Sequence, residues 1–228
     1  CWGLGITYPF KENSLKDYFR IKIFGMADSL IFYSHYPLKY YKEKNINSNK
    51  LFVANNTVKI RHTPNHNCNK NIFLFVGTLF REKGVSETLD HYYEYIINSK
   101  VKNKLVIIGD GAEKKKLIKK VNNMSLSKYV TFIKGTSDEK ILKEFYDKSI
   151  LSLSLHQTGL SVLSSLAHGS PFITMHDSRT GGERFNIIDG FNGLLLKKPS
   201  DLVSVFKKSD SDINYFIKMG KNAYKTYI

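Results

Sequence analysis

The clearest indication of the fold is the stretch Ile72-Phe73-Leu74-Phe75-Val76-Gly77. It is an unbroken apolar run that ends at a glycine, with no alternation of polar and apolar residues. Such a run is typical of a strand buried on both faces of a parallel sheet. An amphipathic stretch over 85–98 follows it, so the sequence predicts a strand, a sharp turn and a helix.

The same pattern repeats toward the C-terminus. Further strands are predicted at the apolar runs 105–108, 129–133, 150–154, 171–174 and 193–196. Helices are predicted between them at about 112–124, 138–147 and 159–168. Strands that alternate with helices form parallel sheets with right-handed crossovers. The fold class is therefore predicted as α/β, with a Rossmann-like doubly wound sheet.

The first part of the chain has a second, shorter α/β pattern. A helix is predicted over 15–26 and strands over 29–33 and 50–54, whereas 58–71 has no apolar period and is predicted as a linker. The predicted organisation is a remnant of one domain at 1–57, a linker at 58–71 and a complete domain at 72–228. Because the first residues resemble a domain interior, we expect an upstream part to be missing.

Composition limits the class of protein. Of 228 residues, 42% are hydrophobic and 24% are charged, which excludes a disordered chain. No apolar run approaches the roughly 20 residues that span a bilayer, and no secretory signal is evident. Two cysteines make neither a disulfide framework nor a metal cluster. A cytoplasmic protein without a metal is predicted.

The net charge of +15 has two interpretations. A positive field attracts phosphate-rich ligands and anionic lipid headgroups, which would place the protein at the inner membrane face. Compositional drift is the alternative, because Lys, Asn, Ile and Tyr are all abundant. Nucleic acid is not expected as a partner, because no zinc-ligand spacing or aromatic–basic RNA motif is present.

Three predicted strand ends carry polar residues, and ligands bind at the carboxyl ends of such strands. The loop 77–84 offers Arg81 and Lys83, two cations that suit a diphosphate. The loop 156–161 opens a helix at Gly159, where free backbone N–H groups bind anions. The loop 176–184 is long and polar. Each loop also has a simpler interpretation. Loop 77–84 could be an ordinary solvated loop, Thr158 in loop 156–161 could be a plain N-cap, and loop 176–184 could be solvated surface.

Five segments, taken in order, resemble the C-terminal domain of the group 1, or family 4, glycosyltransferases of the GT-B fold. They are Phe75-Val76-Gly77-Thr78-Leu79 with Lys83-Gly84, the runs 105–111 and 130–135, Gly159-Leu160-Ser161 through Pro171, and the run 189–195. The runs 27–34 and 53–58 resemble the end of the family's N-terminal, acceptor-binding domain. The resemblance covers nearly the whole chain.

The resemblance implies transfer of a sugar from a nucleotide diphosphate donor to a saccharide or lipid-linked acceptor, in bacterial surface polysaccharide synthesis, usually without a metal. It places Lys83 on the donor diphosphate, beside Gly77. The backbone around Phe132 and Ile133 would contact the base, and the amides of Gly159, Leu160 and Ser161 would bind phosphate.

The chain departs from the family pattern at several positions. His156 and Ser164 stand where the family carries two glutamates, the first against the donor sugar and the second on its ribose. Thr78 replaces the usual arginine, so Arg81 is the substitute candidate. Leu4 stands near the place of a frequent histidine. The remaining polar candidates at the sugar are His156 and Glu183, which are predicted as catalytic residues, with Ser164 offering a hydroxyl to the ribose.

Two functions fit these departures. One is a divergent glycosyltransferase, and the other is a degenerate nucleotide-sugar-binding or scaffold subunit without turnover. A nucleotide-sugar epimerase of related fold ranks last, because it needs an acid and base pair that the sequence does not offer.

Overall fold

A computed structural model describes residues 13–228. The strands are β1 (Leu30–Phe32), β2 (Leu51–Val53), β3 (Ile72–Val76), β4 (Lys104–Ile108), β5 (Val130–Ile133), β6 (Ser149–Leu153), β7 (Phe172–Met175) and β8 (Gly193–Leu196). The helices are α1 (Leu15–Met26), α2 (Tyr36–Glu43), α3 (Val85–Asn98), α4 (Lys114–Asn123), α5 (Glu139–Lys148), α6 (Leu160–Ala167), α7 (Asp201–Ser211) and α8 (Ile213–Tyr227). Short 3₁₀ turns cover Ser48–Lys50, Arg81–Lys83 and Glu183–Asn186.

Six strands form one parallel sheet in the order β5-β4-β3-β6-β7-β8. The chain runs outward from β3 through β4 to β5 and then returns to place β6 on the other side of β3. The order therefore reverses between β3 and β6, and this is where a doubly wound sheet opens a crevice at its carboxyl edge. The predicted Rossmann-like sheet is confirmed.

The sheet is covered on both faces, which explains its unbroken apolar strands. Phe73 and Phe75 face the larger core beneath α3 and α7, where the Phe73 ring stacks on Phe206 with centroids 4.2 Å apart. Leu74 points the other way and packs with Val106 and Tyr146 of α5. Successive residues of one strand thus fill two cores, so neither set of positions tolerates a polar residue.

The first part of the chain forms a separate small core. Strands β1 and β2 pair in parallel, with Leu30 opposite Leu51, and α1 packs Phe24 onto Phe32 and Tyr41. Helix α1 begins at Ser14, whose hydroxyl accepts a hydrogen bond from the Asp17 amide. The predicted α/β pattern of this part is therefore present. The division of the chain into domains stays a prediction.

The segment 58–71 has no helix or strand, yet it is fixed to the large sheet domain. Lys70 donates to the carbonyls of Asp147 and Ser149, at 3.1 Å each. The Asn65 amide donates to the Asp147 carboxylate, and the Tyr227 hydroxyl donates to the Val58 carbonyl. Most of the hydrogen bonds described for this segment go to other elements, and one local turn is closed by the Asn67 amide, which donates to the Asn65 side chain at 3.0 Å.

No helix in the part of the chain that the structure describes is long and apolar enough to cross a membrane.

Candidate active site

The loops that follow β3 and β6 meet at the crevice. Arg81–Lys83 forms a 3₁₀ turn, and Gly84 adopts φ +74° before α3 begins. The Ser154 hydroxyl donates to the Lys83 carbonyl at 3.3 Å. A Cβ on Gly84 would lie 2.6 Å from Cδ2 of His156, so the two loops are in direct contact.

Lys83 is a half-buried cation. Its Nζ donates to the Gln157 carbonyl at 3.3 Å, and within residues 13–228 it forms no salt bridge. Burial lowers the pKa of the Lys83 amine, and the charge of Glu183 acts in the opposite direction. An ammonium group held in this way would be stabilised by a bound anion.

Helix α6 starts at the same place without a side-chain cap. Gly159 occupies the N-cap position, and nothing lies within 4 Å of where its Cβ would be. Thr158 does not cap the helix, because its amide and its hydroxyl both donate to the Arg179 carbonyl, at 2.7 and 3.1 Å. The first N–H groups of α6 are therefore left for an anion, for which a helix N-terminus is suited.

The third polar loop, 176–184, packs beside the second one. The Arg179 amide donates to the His156 carbonyl at 2.7 Å, and Gln157 and Arg179 pair as a short parallel bridge. The loops enclose an open pocket of about 460 Å³ that is lined by Arg81, Glu82, His156, Asp177, Ser178 and Arg179. Cations and carboxylates alternate around it, which suits a polar ligand.

His156 lines this pocket, and its ring is fixed by a side chain of α3. Its Nε2 is hydrogen-bonded to the Glu87 carboxylate on the first turn of α3. Glu87 was not predicted as a site residue, because its partner is 69 residues away along the chain. Glu87 does not itself line the pocket, and it meets His156 because the start of α3 contacts the loop after β6.

Glu183 does not line the pocket. It is buried, and its carboxylate accepts hydrogen bonds from the Gly181 amide, the Thr180 hydroxyl and the Asn56 side chain at 3.0, 3.2 and 3.2 Å. These contacts tie loop 176–184 to the first part of the chain. The charge of Glu183 also acts on Lys83. A catalytic role for Glu183 stays a prediction.

A smaller pocket of about 240 Å³ lies at the ends of β3, β4 and β5. Gly77 and Thr78 line it with Asp110, Gly135 and neighbouring residues, and Gly135 donates to the Asp110 carboxylate at 2.7 Å. The side chains of Phe132 and Ile133 pack into the cores on opposite faces of the sheet. Neither residue lines this pocket, but the Ile133 carbonyl accepts a hydrogen bond at 3.0 Å from the amide of Gly109, which does. Contact of their backbone with the base stays a prediction.

Ser164 lies one turn into α6 and is half-buried. Its carbonyl accepts from the amide and Nδ1 of His168, and its side chain neighbours the buried Tyr146 hydroxyl. His168 stacks on Tyr146, and burial lowers its pKa to about 4. His168 is thus a neutral packing residue at physiological pH.

Two predictions about absent groups remain open. No group of three or more His, Cys, Asp or Glu side chains that could hold a metal occurs within residues 13–228. Metal-independent binding stays a prediction. Leu4, where the sequence departs from a frequent histidine, lies outside the described residues.

Comparison with known proteins places this arrangement in a family. The family described as "Glycosyl transferases group 1" matches residues 56–226. An alpha-monoglucosyldiacylglycerol synthase of Acholeplasma laidlawii is 25% identical over 135 residues, 58% of this chain and 33% of the relative. A poly(ribitol-phosphate) alpha-N-acetylglucosaminyltransferase of Staphylococcus aureus is 28% identical over 150 residues, 64% of this chain and 29% of the relative.

Solved structures show the same fold. S. aureus TarM, crystallised with fondaparinux, alpha-GlcNAc-glycerol and UDP, superimposes with a TM-score of 0.75 at 16% identity. The match covers 96% of this chain and 45% of that one. The chain thus spans about a third of the curated relatives and under half of this structure.

Proposed function

The chain belongs to the group 1 glycosyl transferases and has their GT-B fold, and on this basis we propose that it binds a nucleoside diphosphate sugar between loops 77–84 and 156–161. The whole protein then transfers the sugar to an acceptor in cell-surface glycan synthesis. We assign UDP as the nucleotide, since the TarM structure holds UDP.

One observation carries the proposal. The half-buried ammonium of Lys83 and the uncapped start of α6 converge at the switch point of the sheet, where ligands of this fold bind. Helix N–H groups and a compact cation together suit the two phosphates, and a positive helix end is worth roughly 0.3–2 kcal/mol per charge. Arg81 at the rim of the pocket supplies a second cation.

The sugar would occupy the 460 Å³ pocket, with His156 at its wall. The base would lie toward the smaller pocket at the ends of β3, β4 and β5. The acceptor is a glycan or a lipid-linked saccharide, since the relatives named above are a lipid synthase and a poly(ribitol-phosphate) transferase. The charge of +15 favours a peripheral position at an anionic membrane surface.

A non-catalytic binding or scaffold role is the second candidate, and one observation favours it. Neither family glutamate is present, and the side chain at the second position, Ser164, neighbours Tyr146. Both roles require a bound donor, so binding of UDP does not separate them. Measured turnover of the donor separates them.

Turnover by the whole protein is the test that separates the two roles. Released UDP is measured from UDP-sugars in the full-length protein and in His156→Ala, and we expect activity that falls at least about 100-fold in the variant, as for loss of a group that acts in the transition state. His91→Ala, on α3 outside the pocket, is the matched control and should keep its activity. Absence of any turnover in the unaltered protein would support the binding role instead.

A further inference from the structure

We propose that Glu87 is a positioning residue that fixes the tautomer of His156, so that His156 presents a hydrogen-bond acceptor to the donor sugar. The inference rests on the proposed function for its ligand, a sugar hydroxyl. The assignment of the tautomer rests on the structure alone.

The orientation of the ring follows from two contacts. Its Nε2 is bonded to the Glu87 carboxylate, and its Cδ2 faces Gly84, where a Cβ would be 2.6 Å away. The Cδ2–Nε2 edge of the imidazole therefore lies against the start of α3. Nδ1 is on the opposite edge of the ring, which leaves it toward the pocket that His156 lines.

The chemistry of the pair decides which nitrogen carries the proton. An ionised carboxylate can only accept hydrogen bonds, so Nε2 must donate to Glu87. In the neutral imidazole Nδ1 is then the acceptor. Glu87 lies in the first turn of α3, where the helix dipole favours a negative charge, and within residues 13–228 His156 is its hydrogen-bond partner.

The tautomer decides what the ring can offer to a sugar hydroxyl. With the proton on Nδ1, that nitrogen would be a hydrogen-bond donor. With Nε2 donating to Glu87, Nδ1 of the neutral ring offers a lone pair. The other charged groups that face this ring across the pocket are Arg81, Glu82, Asp177 and Arg179.

The backbone of His156 is also fixed by a hydrogen bond. Its carbonyl accepts from the Arg179 amide at 2.7 Å, and each side chain of the His156–Glu87 pair is 40% exposed. A hydroxyl can therefore reach Nδ1 without displacing Glu87. Fixing one edge of an imidazole to orient the other is a general means of setting its role.

The tautomer is measured by imidazole ¹⁵N NMR on the chain at a pH where the ring is neutral. We expect a pyridine-type signal for Nδ1 and a pyrrole-type signal for Nε2 of His156. In Glu87→Ala the two signals should move together toward averaged values, because nothing selects one tautomer. The isosteric Glu87→Gln covers the case in which Glu87→Ala does not fold; its amide can donate as well as accept, so the tautomers should also mix.

Glu94→Ala removes an exposed carboxylate from the same helix and should leave the His156 signals unchanged. A proton on Nδ1 in the unaltered protein, or an unchanged tautomer in both Glu87 variants, would overturn the proposal. Binding of UDP is measured separately. Loss of UDP binding would remove the donor site and leave the tautomer assignment in place, so the two failures are distinguishable.

Discussion

Replacing Gly84 by alanine is expected to cost about 3 kcal/mol of unfolding free energy and to disorder the pocket wall. Gly84 has φ +74°, a left-handed conformation that an L-residue adopts only with strain. The added Cβ would also lie 2.6 Å from Cδ2 of His156 and 3.1 Å from Cβ of Leu155. Either the α3 entrance or the β6 loop must move. Urea unfolding measures the free energy of unfolding directly.

The Gly190→Ala variant separates the cost of backbone strain from the cost of a steric clash. Gly190 has nearly the same angle, φ +73°, yet nothing lies within 4 Å of where its Cβ would be. Its variant should lose only about 1 kcal/mol, the cost of the left-handed conformation alone. Equal losses in the two variants would mean that loops 77–84 and 156–161 do not press on each other.

Lys83→Ala is expected to weaken UDP binding by about 10- to 100-fold, since a hydrogen bond to a charged group is worth about 1.5–3 kcal/mol. Isothermal titration with UDP measures the affinity. Within residues 13–228 the Lys83 side chain forms a single hydrogen bond, to a carbonyl at 3.3 Å, so the fold should persist. Lys115→Ala on the exposed surface of α4 removes the same net charge and should leave the affinity unchanged. An equal loss of UDP affinity in both variants would mean that the overall positive charge of the protein, and not Lys83 in particular, attracts UDP.

The pH dependence of this affinity has a defined sign. Burial lowers the pKa of the Lys83 amine, so the ammonium that binds phosphate is lost at a lower pH than for an ordinary lysine of about 10.4. Affinity for UDP should therefore fall as the pH rises through that lowered pKa. Lys83→Ala should lack the fall, because the titrating group is gone.

Much of the fold follows from local sequence. The bounds of β3, β8, α1 and α3 agree with their predictions because clean apolar periods and terminal polar residues or glycines mark them. Helix α2 was missed, since Pro37 lies in its first turn and the aromatic residues at 36, 40 and 41 give no clear polar face. Helices α7 and α8, beyond the last predicted strand, were not predicted either.

The site was harder to predict, because its parts meet only in three dimensions. The roles of Lys83 and of the start of α6 stay proposals, but topology brings their loops together, as a sheet that reverses at β3 and β6 requires. Glu183 was taken as a catalytic group from its place in a polar loop, whereas its carboxylate is bonded within that loop and to Asn56. The spacing of residues along the chain does not show that a side chain is buried or that its hydrogen-bond partner is distant in sequence.

Loops 77–84 and 156–161 are proposed to bind one diphosphate together. Backbone amide chemical shifts, followed while UDP is added to the chain, measure this. The amides of 81–84 and 159–161 should shift most and saturate at one common UDP concentration. Saturable binding that moves other amides and leaves both loops unchanged, or no saturable shift at all, would contradict it.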